Sequence, residues 1–312
     1  MQLKKVSATA VWCVVVVLAF CLETPAASGM QVIVPAYWYP GTIPDPNFVL
    51  MANGAPTCAM AVVNNNNGPG PFYEVQYGAN INLTVNAGMR ILGYISSNAA
   101  AVPLSSIYSQ VDLWASYYGL DIMGGIFIDV GTYDCVNASY YTDIKNYVHS
   151  KSPNWIMILN EGFSFPECFV NSSDIFISFE GTLEKYLTSY KLQGWEHNYP
   201  PSIFWQIIHN TPNVSAMEMA VQLARSNYAG YVFVTDLTYP PDPYKGIPSY
   251  WTTELAYLQS LTSSSSTSPT VTGGSGSGAS SSGSSLRSPI ALLGLCCRWW
   301  CSVTLSSYCD EV

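Results

Sequence analysis

Eight short apolar runs recur between about Met30 and Ser260, each separated from the next by a longer connecting stretch, several of them helical in pattern. They are QVIVPAYW (31–38), CAMAVVN (58–64), MRILGYI (89–95), GGIFID (124–129), WIMILN (155–160), DIFISFE (174–180), SIFWQII (202–208) and YAGYVFVTD (228–236). The runs are apolar throughout instead of alternating, as strands covered by protein on both faces must be, and such strands belong to parallel sheets with helices packed over them. Eight is the number at which a parallel sheet closes on itself. Between the runs, VPLSSIYSQVDLWASYYG, ASYYTDIKNYVHSK and SAMEMAVQLARSN read as helices, the last opened by Ser215 with Glu218 three residues on, a capping-box pattern. The expected fold is α/β, a single (β/α)8 barrel of TIM type over residues 28–260. An open doubly wound sheet is the alternative, but its first strand should lead into a Gly-rich phosphate turn, and here it runs into AYWYPG.

Both ends lie outside this pattern. Lys4 and Lys5 precede the apolar run VWCVVVVLAFC, followed by small residues at Ala26, Ala27 and Ser28, the layout of a secretory signal peptide over residues 1–27. That run is shorter than the ~20 residues a membrane span needs. Residues 261–287 are Ser/Gly-rich and read as a linker or stalk with too little apolar content to fold. Residues 288–312 form an apolar, Cys-rich tail of unassigned role; its acidic end is a poor match to a GPI signal, which should finish hydrophobic. Membrane contact is expected only if this tail is anchored. Acceptor sequons at Asn82, Asn137, Asn171 and Asn213 fit a secreted, extracellular or cell-wall glycoprotein. Cys135 and Cys168 each follow a strand by a few residues and would be bridged if those strands are neighbours, which leaves Cys58 buried and free.

Only 10% of residues are charged and 13% are aromatic, so the polar surface must come largely from Asn, Ser, Thr and Tyr, which suits neutral, hydroxyl-rich ligands. A net charge of −9 with no basic cluster excludes nucleic acid as a partner. His149, His197 and His209 are too scattered for a zinc motif, and neither a Gly-x-Ser-x-Gly elbow nor a P-loop occurs. No cofactor and no metal are expected, and the barrel is expected to be monomeric.

In barrel enzymes the reactive groups gather where strands end. Those ends supply Tyr37 and Trp38, Asn64, Tyr94, Asp129, Asn160 with Glu161, Glu180, Gln206 with His209, and Asp236. Strand parity puts Asp129 on one face with Phe127 and Gly125, and Glu180 with Ser178 and Phe176, leaving Ile175, Ile177 and Phe179 for the helices. Asp129 and Glu180 then both point into the mouth from strands two apart. Two carboxylates facing each other over a groove are the minimum apparatus for cutting a glycosidic bond. Tyr37, Trp38, Asn64, Tyr94, Asn160, Gln206 and Asp236 are the expected substrate contacts.

VPAYWYPG, VVNNNNGPG, ILGYISS, GGIFIDV, ILNEG, ISFEGT and VTDLTYPPDPYKGIPSYW, in this order and spacing from about Val34 to Trp251, resemble the spherulin-4 (spherulation-specific) family. The resemblance implies a secreted (β/α)8 barrel, some members being fungal glycoside hydrolases that cut galactosaminogalactan internally at α-1,4-linked N-acetylgalactosamine. Asp129 matches the aspartate of the family's Gly-Ile-Phe-x-Asp-Glu strand and Glu180 the glutamate of its Phe-Glu strand. Val130 stands where the hydrolases carry the second acid of that Asp-Glu pair, and Glu161 stands in Asn-Glu-Gly where the family usually has Asn-Pro-Gly. Glu161 is the available substitute for the missing acid, provided a loop bend turns it inward. The expectation is a secreted hydrolase acting on an α-1,4-linked N-acetylgalactosamine- or galactosamine-containing polysaccharide. Its rival is a non-catalytic glycan-binding cell-wall or spore-coat protein on the same barrel.

Overall fold

The computed structural model describes residues 29–263; the expected leader, the Ser/Gly-rich stretch past residue 263 and the Cys-rich tail lie outside the described residues. The strands are β1 (Gln31–Ala36), β2 (Cys58–Val63), β3 (Arg90–Ser96), β4 (Met123–Asp129), β5 (Ile156–Asn160), β6 (Ile175–Thr182), β7 (Phe204–His209) and β8 (Tyr231–Val234). Each runs parallel to the next, and β8 pairs with β1 through Gln31↔Tyr231 and Val32↔Val232, which closes the cylinder. All eight expected runs are strands, and the fold is the expected (β/α)8 barrel.

Among the described residues seven α-helices cover the sheet: α1 (Pro46–Asn53), α2 (Val75–Asn86), α3 (Leu104–Tyr118), α4 (Ala138–Lys151), α5 (Leu183–Thr188), α6 (Val214–Ser226) and α7 (Trp251–Ser263). The β5–β6 connection carries only a 3-10 turn, Glu167–Phe169. The cap of α6 differs from expectation: Asn213 holds the helix start by accepting from the Ala216 amide at 3.0 Å, so Ser215 lies inside the first turn. Asn competes as well as Ser for this position, and the apolar pattern alone does not separate them.

Two shells of side chains surround the sheet. Outside, Trp114 of α3 lies against Gly93 of β3, where an added Cβ would come within 2.4 Å of the indole, and its Nε1 donates to the Tyr94 carbonyl at 3.0 Å. Inside, Phe127 of β4 meets Trp205 of β7 with ring centroids 6.1 Å apart. Because β4 and β7 are not neighbours, that contact crosses the lumen. Tyr37 and Tyr94 pack above Phe127 at 6.4 and 5.8 Å, so an aromatic floor underlies the mouth.

Two βα loops are fastened together: Cys135, after β4, is bonded to Cys168, after β5, with Cα atoms 5.9 Å apart. Cys58 is free and buried, and burial raises its thiol pKa. Asn82, Asn171 and Asn213 are exposed and Asn137 is partly so. Cross-linking restricts the unfolded chain, so replacing both Cys135 and Cys168 by Ser is expected to lower stability by about 3 kcal/mol, read from urea denaturation.

Candidate active site

Asp129, Asn160 and Glu180 come from the consecutive strands β4, β5 and β6 and meet over the aromatic floor. The Asn160 Nδ2 donates to Asp129 Oδ1 at 2.8 Å and to Glu180 Oε2 at 2.7 Å. The two acid oxygens are therefore no more than about 5.5 Å apart. The Gly162 amide donates to Asn160 Oδ1 at 2.7 Å, which fixes the amide so that its nitrogen, not its oxygen, faces the acids. Tyr94 Oη donates to Asp129 Oδ2 at 2.5 Å, and Tyr244 Oη donates to Glu180 Oε1. Tyr37 stands between those two phenols, 5.5 Å from the ring of Tyr94 and 5.4 Å from that of Tyr244.

Glu180 reaches the lumen by a route that simple alternation does not describe. Phe176 pairs with Phe204 and Ile177 with Trp205, but the next pair is Phe179 with Gln206, so Ser178 is an extra residue in β6. A bulge of this kind reverses the parity beyond it. Phe176 faces outward, stacked on Phe165 at 4.3 Å, and Ile177 shares the inward side with Trp205. The expectation that Phe176 and Ser178 share the face of Glu180 is thus corrected, while Glu180 itself is turned inward by the bulge.

Burial raises the pKa of Glu180, and the Asp129 charge adds to that rise; the hydrogen bonds from Tyr244 and Asn160 pull the other way. Desolvation and both acids also drive the Tyr37 phenol well above its ordinary value. A carboxyl whose pKa is raised, beside a second carboxyl at the mouth of one groove, is the apparatus of acid-assisted glycosyl transfer.

Other expected contacts lie elsewhere. Gln206 is fully buried on the outer side, accepting from Tyr186 Oη at 2.5 Å and donating to Tyr190 Oη at 3.0 Å and the Asn227 carbonyl at 3.2 Å. It is a packing group between β7 and the helix layer, not a substrate contact; with Trp205 in the lumen, alternation along β7 turns Gln206 outward. Trp38 is buried against Phe48 of α1 at 5.8 Å. Asp236 accepts from the Ser249 amide at 3.1 Å and its hydroxyl at 2.5 Å, fastening the loop before α7. Asn64 ends β2 with its backbone carbonyl bound to Tyr77 Oη at 2.9 Å and a buried, unpartnered Oδ1.

Glu161 is 6% exposed, and neither of its carboxyl oxygens has a hydrogen-bond partner. Its side chain lies against Gly131 and influences Tyr133 and Tyr141, on the side away from Asn160. Alternation along β5 carries Asn160 inward and Glu161 toward the helices, so Glu161 does not fill the role of the missing acid. Val130 is 47% exposed with φ 53°, and its carbonyl accepts from Ser97 Oγ at 2.8 Å and the Ala99 amide at 2.7 Å.

Strand-end reasoning missed Tyr244. It comes from the Pro-rich β8–α7 loop, where no periodicity marks it; the available signal was an aromatic in a long loop on the rim that carries the acids. It also missed a cavity of about 340 Å³ beside Glu180, lined by Lys185, His209, Tyr239 and Tyr244. Burial lowers the His209 pKa, and its Nδ1 lies 2.6 Å from Asn210 Oδ1.

The chain is a (β/α)8 barrel with a bridged acid pair at its C-terminal rim. The model of the spherulation-specific family 4 matches residues 31–258, and the chain belongs to that family. Spherulin-4 of Physarum polycephalum is 28% identical over 254 residues, covering 77% of this chain and 73% of that protein. Sph3 of Aspergillus clavatus, solved in complex with GalNAc, superposes with a TM-score of 0.65 at 22% identity, over 75% of this chain and 98% of Sph3. A β-galactosidase of Halorubrum lacusprofundi shares the fold with a TM-score of 0.51 at 10% identity, over 75% of this chain and 58% of the enzyme.

A β-branched residue at positive φ is strained, whereas Asn adopts that conformation readily. Val130→Asn is expected to raise stability by about 1 kcal/mol in chemical denaturation. Burial also raises the carboxyls of Glu161 to about 8, Glu254 to about 8 and Glu196 to about 7. Between the ordinary carboxyl range and those values the folded chain binds more protons than the unfolded one, so stability falls as pH rises across that window. Glu161→Gln is expected to shrink the loss of stability between pH 5 and pH 8, compared by urea melts at the two pH values.

Proposed function

We propose that the protein is a secreted glycoside hydrolase that cuts internally within a polysaccharide containing α-1,4-linked N-acetylgalactosamine. The observation that carries this reading is the single Asn160 nitrogen held at 2.8 and 2.7 Å between Asp129 and Glu180, at the open end of the barrel. Membership of the family and the likeness to Sph3, which was solved with GalNAc, support the sugar class. The leader-like first residues and the Cys135–Cys168 disulfide support secretion.

Glu180, its pKa raised by burial, is the acid that donates a proton to the leaving glycosidic oxygen. Asp129, oriented by Tyr94 and Asn160, meets the anomeric carbon from the other side. A separation of at most about 5.5 Å suits direct attack and a glycosyl-enzyme intermediate, because an inverting pair needs roughly 6.5–9.5 Å to admit water. Glu180, once deprotonated, then activates the water that releases the sugar, so the anomeric configuration is retained. Tyr244 holds one oxygen of that carboxyl and Asn160 the other, which fixes its orientation for both steps.

A second reading, glycan binding without cleavage, is favoured by Val130 at the position of the family's third acid. New reducing ends released from galactosaminogalactan separate the two. Glu180→Gln and Asp129→Asn are each expected to lower kcat by about 10²–10⁴-fold with the fold intact. The alkaline limb of the pH profile should lie above that of an ordinary carboxylic acid. Retention of configuration should be visible by NMR of the first product. Binding with no cleavage at any pH selects the second reading.

A further inference from the structure

Among the described residues, the exposed aromatics are Tyr39, Phe72, Tyr73, Tyr133, Phe163 and Tyr239, and all six lie on loops that follow strands, on the rim that carries the acids. Three of them lie on the loops after the neighbouring strands β1 and β2. Tyr39 follows β1, and Phe72 and Tyr73 follow β2; they are 53, 58 and 46% exposed.

Two of these rings are anchored by their hydroxyl ends. Tyr39 Oη donates to Glu74 Oε2 at 3.2 Å, and its ring meets Tyr77 edge-on at 5.7 Å. Tyr73 rests its hydroxyl over Gly78 of α2, where an added Cβ would lie 2.0 Å from Oη, and its ring is 5.4 Å from Tyr118. Tyr77 Oη donates to the carbonyls of both Trp38, at 3.3 Å, and Asn64, at 2.9 Å, which ties the two loops into one surface. That surface continues into the mouth through Tyr37, two residues before Tyr39 and packed on Tyr94 and Tyr244.

Its chemistry is neutral. Residues 37–45 and 64–74 hold no Lys or Arg; of their two acids, Asp45 is buried in the cap of α1 and Glu74 is bound to Tyr39. Asn66 and Asn67, on the same loop after β2 as Phe72 and Tyr73, are exposed. Apolar ring faces next to uncharged amides suit sugar units, whose C–H faces stack on aromatics while their hydroxyls bond to amides. In the strand order of the closed barrel, β2 stands opposite β6, so this surface and the cavity beside Glu180 flank the acid pair from opposite sides.

We propose that Tyr39, Phe72 and Tyr73, with Asn66 and Asn67, form an accessory platform that grips a neutral segment of the polysaccharide chain away from the bond being cut. The proposal deepens the hydrolase reading and rests on it for the identity of the chain. It gives a physical basis to internal cutting, since a chain held on both sides of the acids is cleaved within its length.

The test uses the whole barrel and galactosaminogalactan. Phe72→Ala and Phe72→Ala/Tyr73→Ala are assayed for KM on the polymer and on a short N-acetylgalactosamine oligosaccharide. Polymer binding is read separately by affinity gel electrophoresis in a Glu180→Gln background. The expected result is a rise of about five- to tenfold in polymer KM, well beyond any change on the oligosaccharide, with matching loss of gel retardation. Phe72→Ala alone, at the most exposed of the three rings, guards against misfolding of the double variant. Unchanged KM and retardation in a protein that cuts the polymer overturn the platform and leave the hydrolase reading standing. Retardation that depends on Phe72 in a protein that never cuts supports the platform and sinks the hydrolase reading. A concentration-dependent dimer in sedimentation that Phe72→Ala abolishes makes the patch a protein interface and overturns the proposal.

Discussion

One amide group organises the mouth of this barrel. Two carboxyl groups bridged through one amide nitrogen repel when both are ionised, and burial raises the cost of the Glu180 charge. Asn160 answers both effects by turning its two N–H bonds to Asp129 and Glu180 while the Gly162 amide occupies its oxygen. Its position at the end of β5, the strand between those of the two acids, makes that geometry available. Tyr94 and Tyr244 add one donor to each acid from either side, and Tyr37 packs between them, so the site is a ring of phenols closed around a carboxyl pair.

Much of the fold was legible because burial on both faces writes a parallel strand as an uninterrupted apolar run. Asp129 was legible for the same reason: β4 alternates normally from Gly125, so Phe127 in the lumen predicts Asp129 in the lumen. Glu180 was placed correctly by an argument that fails at Ser178, whose insertion leaves no mark in the letters DIFISFE. Gln206 was misread because a polar residue near a strand end was counted without its parity: Trp205 beside it faces the lumen, so Gln206 faces the helices. Tyr244 depends on the path of a Pro-rich loop, which periodicity does not encode, and Trp38 was misread because a strand-end aromatic packs under a loop as readily as it faces solvent.

The two departures from the family pattern are neighbours in space. Val130 is followed by Gly131, and a Cβ on Gly131 would come 2.7 Å from Cγ of Glu161. One acid is absent from the rim, and another lies just behind it, shut among Gly131, Tyr133 and Tyr141 with no donor for either oxygen. The backbone between them is held by Ser97 and Ala99 on the Val130 carbonyl and by the Gly131 amide on the Asn160 carbonyl at 2.7 Å. The loop after β4 is thereby bound to both neighbouring strands, and Asp129 inherits its rigidity.

The route by which Tyr244 reaches Glu180 sets the order in which the molecule becomes competent. Asp129, Asn160 and Glu180 are all synthesised well before β8, yet the cylinder has a seam until Tyr231 and Val232 find Gln31 and Val32, and the phenol over Glu180 follows later still. A nascent chain leaving the ribosome therefore holds every acid of the site without the enclosure that tunes them. Any fragment that ends short of the last loop carries both acids but lacks the phenol that donates to Glu180.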